Sequence, residues 1–232
     1  SACLVGSEMC IRDSVCSVAV SNDAACIFNK EDHSGPHHNE TLGSFVDEAL
    51  SFIDSHDLVL DAVAVSCGPG SYTGLRIGTS MAKGICYGRD VRLIAIPTLE
   101  LLAVPVLLQE LPKAEDALLV PMLDARRMEV YAQVFDRALN EIRPVQADIV
   151  TAETYRDQLD KGPVYFFGNG AAKCMSTINH ANAHLVEGIL PLAKNMFPLA
   201  EKRIAQGKYE DVAYFVPFYL KDFVAKTPKK LL

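Results

Sequence analysis

The residues with most chemical promise are Gly68, Pro69, Gly70, Ser71, Tyr72, Thr73 and Gly74 (GPGSYTG), with Arg76 just beyond. In a loop between a strand and a helix, backbone N–H groups without intrahelical partners can hold an anion. No Lys-Ser or Lys-Thr follows these glycines, so the segment is not a Walker A loop. Gly68 and Gly70 fit the first two positions of the dinucleotide fingerprint, but Thr73 stands where its third Gly belongs. The plainer reading is a tight turn whose glycines supply unusual backbone angles. His33 and His37 have the HxxxH spacing that shares a metal on a helix face, but Gly35 and Pro36 lie between them and break any helix. No GxSxG nucleophile context occurs, and the first half lacks a pair of acids at strand ends for metal-assisted phosphoryl transfer. Residues 124–127 (DARR) read as a hairpin turn with an Asp and two solvated Arg.

The elements that must hold these residues follow from periodicity. Residues 14–29 alternate like a hairpin around Asn22-Asp23. Asn39 is placed to cap a helix in which Leu42, Phe45, Val46, Ala49, Leu50 and Ile53 share one face, with Asp47, Glu48, Ser51 and Asp54 opposite. Residues 62–67 form a buried strand, residues 68–74 the loop, and a helix runs to about Tyr87. Residues 91–96 are the next strand, followed by a helix capped by Thr98 and kinked or ended by Pro105. The polar stretch 109–116 is the expected boundary between an N-terminal lobe (1–108) and a C-terminal α/β lobe (109–232). In the second lobe, strands are expected over 117–123, 129–135, 145–150 and 164–167. Helices are expected over 151–159, after Gly168-Asn169-Gly170, and from Asn195 to before Gly207. Residues 212–220 are a late apolar run before a basic tail. Residues 1–13 (SACLVGSEMCIRD) have no clean period and are expected to lie outside the native fold. A further strand before residue 14 would give three meander strands before the first helix, the order of a ribonuclease-H-like lobe.

The helix after the loop is unusual. Gly74, Gly78 and Ala82 form one small-residue row, and Ser80, Gly84 and Gly88 a second on nearly the opposite face, with Ile77, Met81 and Ile85 between. Each interior Gly costs about 0.5–1 kcal/mol relative to Ala, which close packing must offset. One face can meet its own sheet. The other can meet the Leu42-to-Ile53 helix or a helix of another subunit.

Composition narrows the classes. The 232 residues are 50% hydrophobic and carry a net charge of −7, which excludes a disordered chain and argues against gripping nucleic acid by bulk electrostatics. Seven cysteines in irregular spacing with no CxxC fit neither a disulfide scaffold nor a zinc site. No apolar run of membrane-spanning length and no signal-peptide pattern occurs, so the expected location is cytoplasmic.

Three blocks together resemble one family. CGPGSYTGLRIG (67–78) is similar to the signature of the bacterial TsaB (YeaZ) family, DARRMEVYA (124–132) to its second block, and PFYLKD (217–222) to its C-terminal block. His38 ahead of an amphipathic helix also matches. The family begins with a strand resembling ILAIDTST, which the first residues here do not match. The resemblance implies a two-lobed actin-like ATPase (ribonuclease-H-like) α/β fold with mixed sheets flanked by helices. It implies a non-catalytic scaffold subunit supporting a TsaD-type transferase in threonylcarbamoyladenosine modification of tRNA. The implied associates are that transferase, a TsaE-type ATPase and, in isolation, a second copy; tRNA is met only through the complex. The N-lobe helices form the implied interface, expected at Leu42, Phe45, Val46, Ala49, Gly74, Gly78, Met81, Ala82 and Ile85. No catalytic or metal residue and no cofactor is expected in the isolated chain, and ATP or ADP is expected only at an interface shared with the partner. The alternatives are a glycoprotease-like metallopeptidase, which would need His33, His37 and His38, and an ATP-binding phosphotransferase.

Overall fold

In a computed structural model that describes residues 2–9, 15–23, 25–34 and 38–221, the strands assemble into two five-stranded sheets. The first holds β1 (Ala2–Met9), β2 (Val15–Asn22), β3 (Ala25–Asp32), β4 (Leu60–Gly68) and β5 (Arg92–Pro97), in the order β3-β2-β1-β4-β5. Strand β1 runs antiparallel to β2 and parallel to β4, so Val5 sits between Ala19 and Ala64. The second sheet holds β6 (Leu118–Asp124), β7 (Glu129–Phe135), β8 (Glu141–Ile149), β9 (Val164–Phe167) and β10 (Ala183–Val186), in the order β8-β7-β6-β9-β10. Its central β6 is antiparallel to β7 and parallel to β9.

The two sheets share one plan: a central strand, two meander strands on one side and two parallel strands on the other. This is the ribonuclease-H-like order duplicated, the actin-like architecture that the sequence led us to expect. The plan equates the loop after β4 with the loop after β9. Those loops read Gly68-Pro69-Gly70 and Gly168-Asn169-Gly170, and both leading glycines have positive φ, +109° and +92°.

Helices cover the faces. On one face of the first sheet lie α1 (His38–Ser55) and α2 (Tyr72–Arg89), where Val46, Ala49, Ile53, Ala82 and Ile85 meet Val18, Val20, Val63 and Val65. The opposite face, built by Ala62, Ala64, Ile94 and Ile96, is covered by Leu101 and Val104 of α3 (Thr98–Leu108) and by Phe197 and Leu199 of α5 (Phe197–Ala205). Helix α3 is apolar on nearly every face, Glu100 apart, as a helix packed between two sheets must be. Its Leu99, Leu102 and Val106 pack on Leu119, Leu123 and Phe167 of the second sheet. Beyond α5 the chain stays on the first sheet: Glu210 N–H donates to Leu93 O at 2.9 Å on the edge of β5.

Several expectations change. Residues 2–9, set outside the fold by their irregular pattern, form its central strand, and Cys3 is fully buried there. Position explains this: a strand hydrogen-bonded on both sides is fixed by its neighbours, and Gly6, Ser7 and Glu8 hide the period. The Gly168-Asn169-Gly170 loop opens only a single 3-10 turn, Ala172–Cys174, and the 151–159 helix shrinks to α4 (Arg156–Leu159). Pro97 rather than Thr98 takes the α3 cap position; Thr98 lies in the first turn, with its hydroxyl 2.7 Å from that of Ser66. Pro105 is accommodated inside α3. Helix α5 ends before Gly207, whose φ is +64°. His37, the side chains of His38 and Asn39, and the loop 35–36 lie outside the described residues.

Candidate partner-binding surface

The signature loop is built by geometry only glycine tolerates. A Cβ on Gly68 would stand 2.5 Å from the backbone oxygen of Phe218 and 3.1 Å from Leu75 Cδ1. The peptide between Gly68 and Pro69 is cis. Ser71 then caps α2, accepting the Gly74 N–H at 3.3 Å while its carbonyl accepts the Leu75 N–H at 2.9 Å. The N–H groups that could have met an anion are thus partly used by the cap itself. Arg76 reaches back over the Tyr72 ring, 5.3 Å from its centroid.

Residues 212–221, an apolar run that leads into the PFYLKD block, form a strap that clasps this loop. Phe218 N–H donates to Cys67 O at 2.8 Å, and the Tyr219 ring lies 4.7 Å from that of Tyr72. Lys83 of α2 donates to the carbonyls of Ala213 (3.0 Å) and Phe215 (3.1 Å). Lys221 pairs with Glu129 at the start of β7. The three sequence blocks, spread over more than 150 residues, therefore meet along one line: loop against strap, and strap against the second hairpin.

Helices α1 and α2 are tied near their C-terminal ends by a two-pronged pair, Arg89 to Asp54 at 2.6 and 2.7 Å. Beside this tie runs a surface groove of about 510 Å³ lined by Gly43, Asp47, Leu50, Met81, Gly84 and Gly88, among others. A Cβ at Gly43, Gly84 or Gly88 would meet nothing within 4 Å, so these glycines open the groove outward. The interface residues expected from sequence divide. Leu42, Ala49 and Ala82 turn into the chain's own core, while Val46 and Ile85 are buried in that core and also line the floor of the groove. Gly78 faces the sheet, where a Cβ would lie 3.8 Å from Val65 Cγ2. Phe45 and Met81 are half-buried at the edge of that core, and Gly74 belongs to the cap. The row Gly74, Gly78, Ala82 is thus the sheet-facing one, and Ser80, Gly84, Gly88 is the outward one. Periodicity separates the two rows but carries no sign to say which meets the sheet.

The second lobe holds the other polar cluster. Lys173 spends its three N–H groups on Asp124 Oδ1 (2.5 Å), Arg127 O (2.7 Å) and Glu129 O (2.8 Å). Asp124 Oδ1 also accepts the Arg126 N–H at 2.8 Å, and the Asp124 N–H donates to Asn169 Oδ1 at 2.9 Å. This network holds Arg126 and Arg127 at φ +76° and +52°, a region that non-glycine residues seldom occupy. Acid and ammonium satisfy each other, so neither is poised as a base or a cation ligand. Sequence reasoning missed Lys173, because only the fold brings it to residues 124–129. Lys173→Met is expected to cost about 2 kcal/mol, the scale of hydrogen bonds to a charged group. Urea unfolding measures it, and an unchanged midpoint would show the network to be dispensable.

Other candidates are quiet. His33 pairs with Glu31 at 3.1 Å, and no cluster able to hold a metal occurs among the described residues. One space between the lobes, lined by Val15, Leu102, Leu123 and Asn169 among others, is about 10 Å³, roughly the size of one water. Burial pushes the Cys67 thiol up to about 12, leaving it unreactive at neutral pH. Cys26 is exposed. Iodoacetamide at pH 8 is therefore expected to alkylate Cys26 well before Cys67, read by peptide mass spectrometry; prior labelling of Cys67 would contradict its burial.

Comparison with known proteins agrees with this architecture. The family model described as TsaD: tRNA N6-adenosine threonylcarbamoyltransferase matches residues 32–229. The tRNA threonylcarbamoyladenosine biosynthesis protein TsaB of Escherichia coli is 29% identical over 226 residues, covering 93% of this chain and 94% of that protein. The TsaB proteins of Haemophilus influenzae and Bacillus subtilis are each 30% identical, the first covering 84% of this chain and 83% of its own length, the second 70% of each. The solved structure of YeaZ from Pseudomonas aeruginosa superposes with a TM-score of 0.78 at 21% identity, over 95% of this chain and all of that one, which shows the shared fold. With the signature loop, the strap and the duplicated sheet in place, and with relatives of this similarity over most of their length, the chain belongs to the TsaB (YeaZ) family.

Proposed function

We propose that this chain is a non-catalytic scaffold subunit that supports a TsaD-type transferase in threonylcarbamoyladenosine modification of tRNA. The observation that carries the proposal is the outward groove between α1 and α2, whose three open glycines admit close approach by a partner helix. The self-satisfied Asp124–Lys173 pair supports a structural rather than chemical role for the polar cluster. ATP or ADP acts at an interface shared with the partner. The TsaE-type ATPase joins the same assembly, a second copy occupies the groove when no partner is present, and the assembly works in the cytoplasm. The net charge of −7 supports tRNA being held through the partner.

The test is reconstitution. The purified chain mixed with its cognate TsaD-type protein is expected to form a stable heteromer, and the modified adenosine is expected only when both are present with the remaining pathway proteins. Modified adenosine formed at full rate without this chain would overturn the proposal. So would submicromolar tRNA binding by the isolated chain at physiological salt.

A further inference from the structure

The strap alternates. Val212 and Phe215 pack on the core beneath α2, whereas Tyr214, Val216 and Phe218 point outward and are 84%, 71% and 44% exposed. The row is not loose chain: the Lys83 contacts, the Phe218–Cys67 backbone bond and the Tyr219–Tyr72 ring contact fix its course. Tyr87 is 87% exposed and stands one turn beyond Lys83 on α2. Since Lys83 grips the backbone on both sides of Tyr214, Tyr87 and the strap row flank the same stretch of α2. Gly84, which opens the groove, directly follows Lys83. The strap enters from the β5 edge, so the apolar row runs along the flank of α2 away from α1, with the outward row Ser80, Gly84 and Gly88 between it and the groove. Large apolar side chains grouped on a fixed surface mark a contact site more often than a solvated one.

Charge says what covers it. All three cations of α2 that could serve a partner are used at home: Lys83 on the strap carbonyls, Arg89 on Asp54, and Arg76 over Tyr72. Asp47 in the groove and Asp90 at the α2 C-cap have no cationic partner among the described residues. An apolar strip with unpaired carboxylates beside it fits a protein whose contact surface is apolar at the centre and Lys- or Arg-bearing at its rim. A second copy of this chain would instead bring the same carboxylates and another net −7.

We propose that Tyr87, Tyr214, Val216 and Phe218 form a second rail of the partner surface, and that the protein on it is the cationic-rimmed partner seated in the α1–α2 groove. This rests on the scaffold reading above. The test uses the full chain carrying Tyr214→Ser with Val216→Ser, beside Gly84→Arg, titrated against the TsaD-type protein. The strap variant is expected to keep its melting temperature and to weaken the heteromer about 30-fold, the loss of roughly one contact of hot-spot size. Wild-type affinity is expected to fall as salt rises from about 50 to 300 mM, because a charged rim is screened. If Gly84→Arg weakens binding and the strap variant does not, the rail is wrong and the groove stands. If neither weakens it, the groove reading fails too. Loss of self-association with the heteromer intact would assign the row to a second copy and overturn the choice of partner. Should the strap variant lose stability, Tyr87→Ser, outside the strap, decides: the heteromer weakens, or the rail is wrong.

Discussion

Gly68→Ala is expected to destabilise the chain by about 3 kcal/mol, near the upper end for a single residue forced into a disfavoured backbone region. Two costs add. The backbone holds φ at +109°, where an alanine is strained whatever space surrounds it. The new Cβ would also stand 2.5 Å from the Phe218 carbonyl oxygen, a backbone atom that cannot swing aside like a side-chain tip. Phe218 can retreat only by breaking its bond to Cys67 O and lifting the strap from the loop. In a chain of this size the expected drop in melting temperature is about 6–12 °C. Limited proteolysis should report the same event as faster cleavage within residues 210–221. Gly168, at the matching place in the second lobe, has a positive φ and a clash of equal size with Met122 O, so Gly168→Ala is expected to behave alike. Gly88→Ala is the control of opposite sign: its Cβ meets nothing, and helix propensity favours Ala by about 0.5–1 kcal/mol. A Gly68→Ala protein melting within a degree or two of wild type would show that the loop and strap are not locked together.

What the sequence made legible, and what it hid, follows from the range of each interaction. Helices α1 and α2 repeat every few residues, so Val46, Ala49 and Ile53, and the two small rows of α2, could be read locally. The loop at 68–74 was legible as a glycine turn for the same reason. Strand β1 was not, because its place is set by β2 on one side and β4 on the other, about 15 and 60 residues away. The course of the strap was hidden because nothing local sets it: Lys83, Cys67 and Tyr72, all 130 or more residues distant, hold it. Lys173 at Asp124 and the equivalence of Gly68 with Gly168 likewise appear only once the second sheet is laid beside the first. The role of each signature block could therefore be assigned by likeness alone until the fold showed that the blocks touch.

The groove makes the largest functional prediction, and it depends on which row of α2 faces out. Had Gly74, Gly78 and Ala82 met the partner, Ala82→Arg would be the natural probe. In this fold Ala82 is 4% exposed in the core, and an arginine there would bury a charge beside Val65 and Ile85. That variant is expected to unfold and so cannot report on binding. Gly84→Arg separates the two effects. Its side chain leaves into open space, and replacing an exposed helical glycine favours the helix by several tenths of a kcal/mol. The melting temperature should hold or rise slightly. The same side chain fills the close-approach path along the glycine face, so affinity for the TsaD-type protein is expected to fall at least about 100-fold, or ~2.7 kcal/mol. Calorimetric titration measures the affinity, and the rate of modified-adenosine formation should fall with it at subsaturating partner and recover as partner is raised. A Gly84→Arg chain that folds, binds and supports modification as wild type does would mean that the partner sits elsewhere, and the open glycines would then have no account in the scaffold reading.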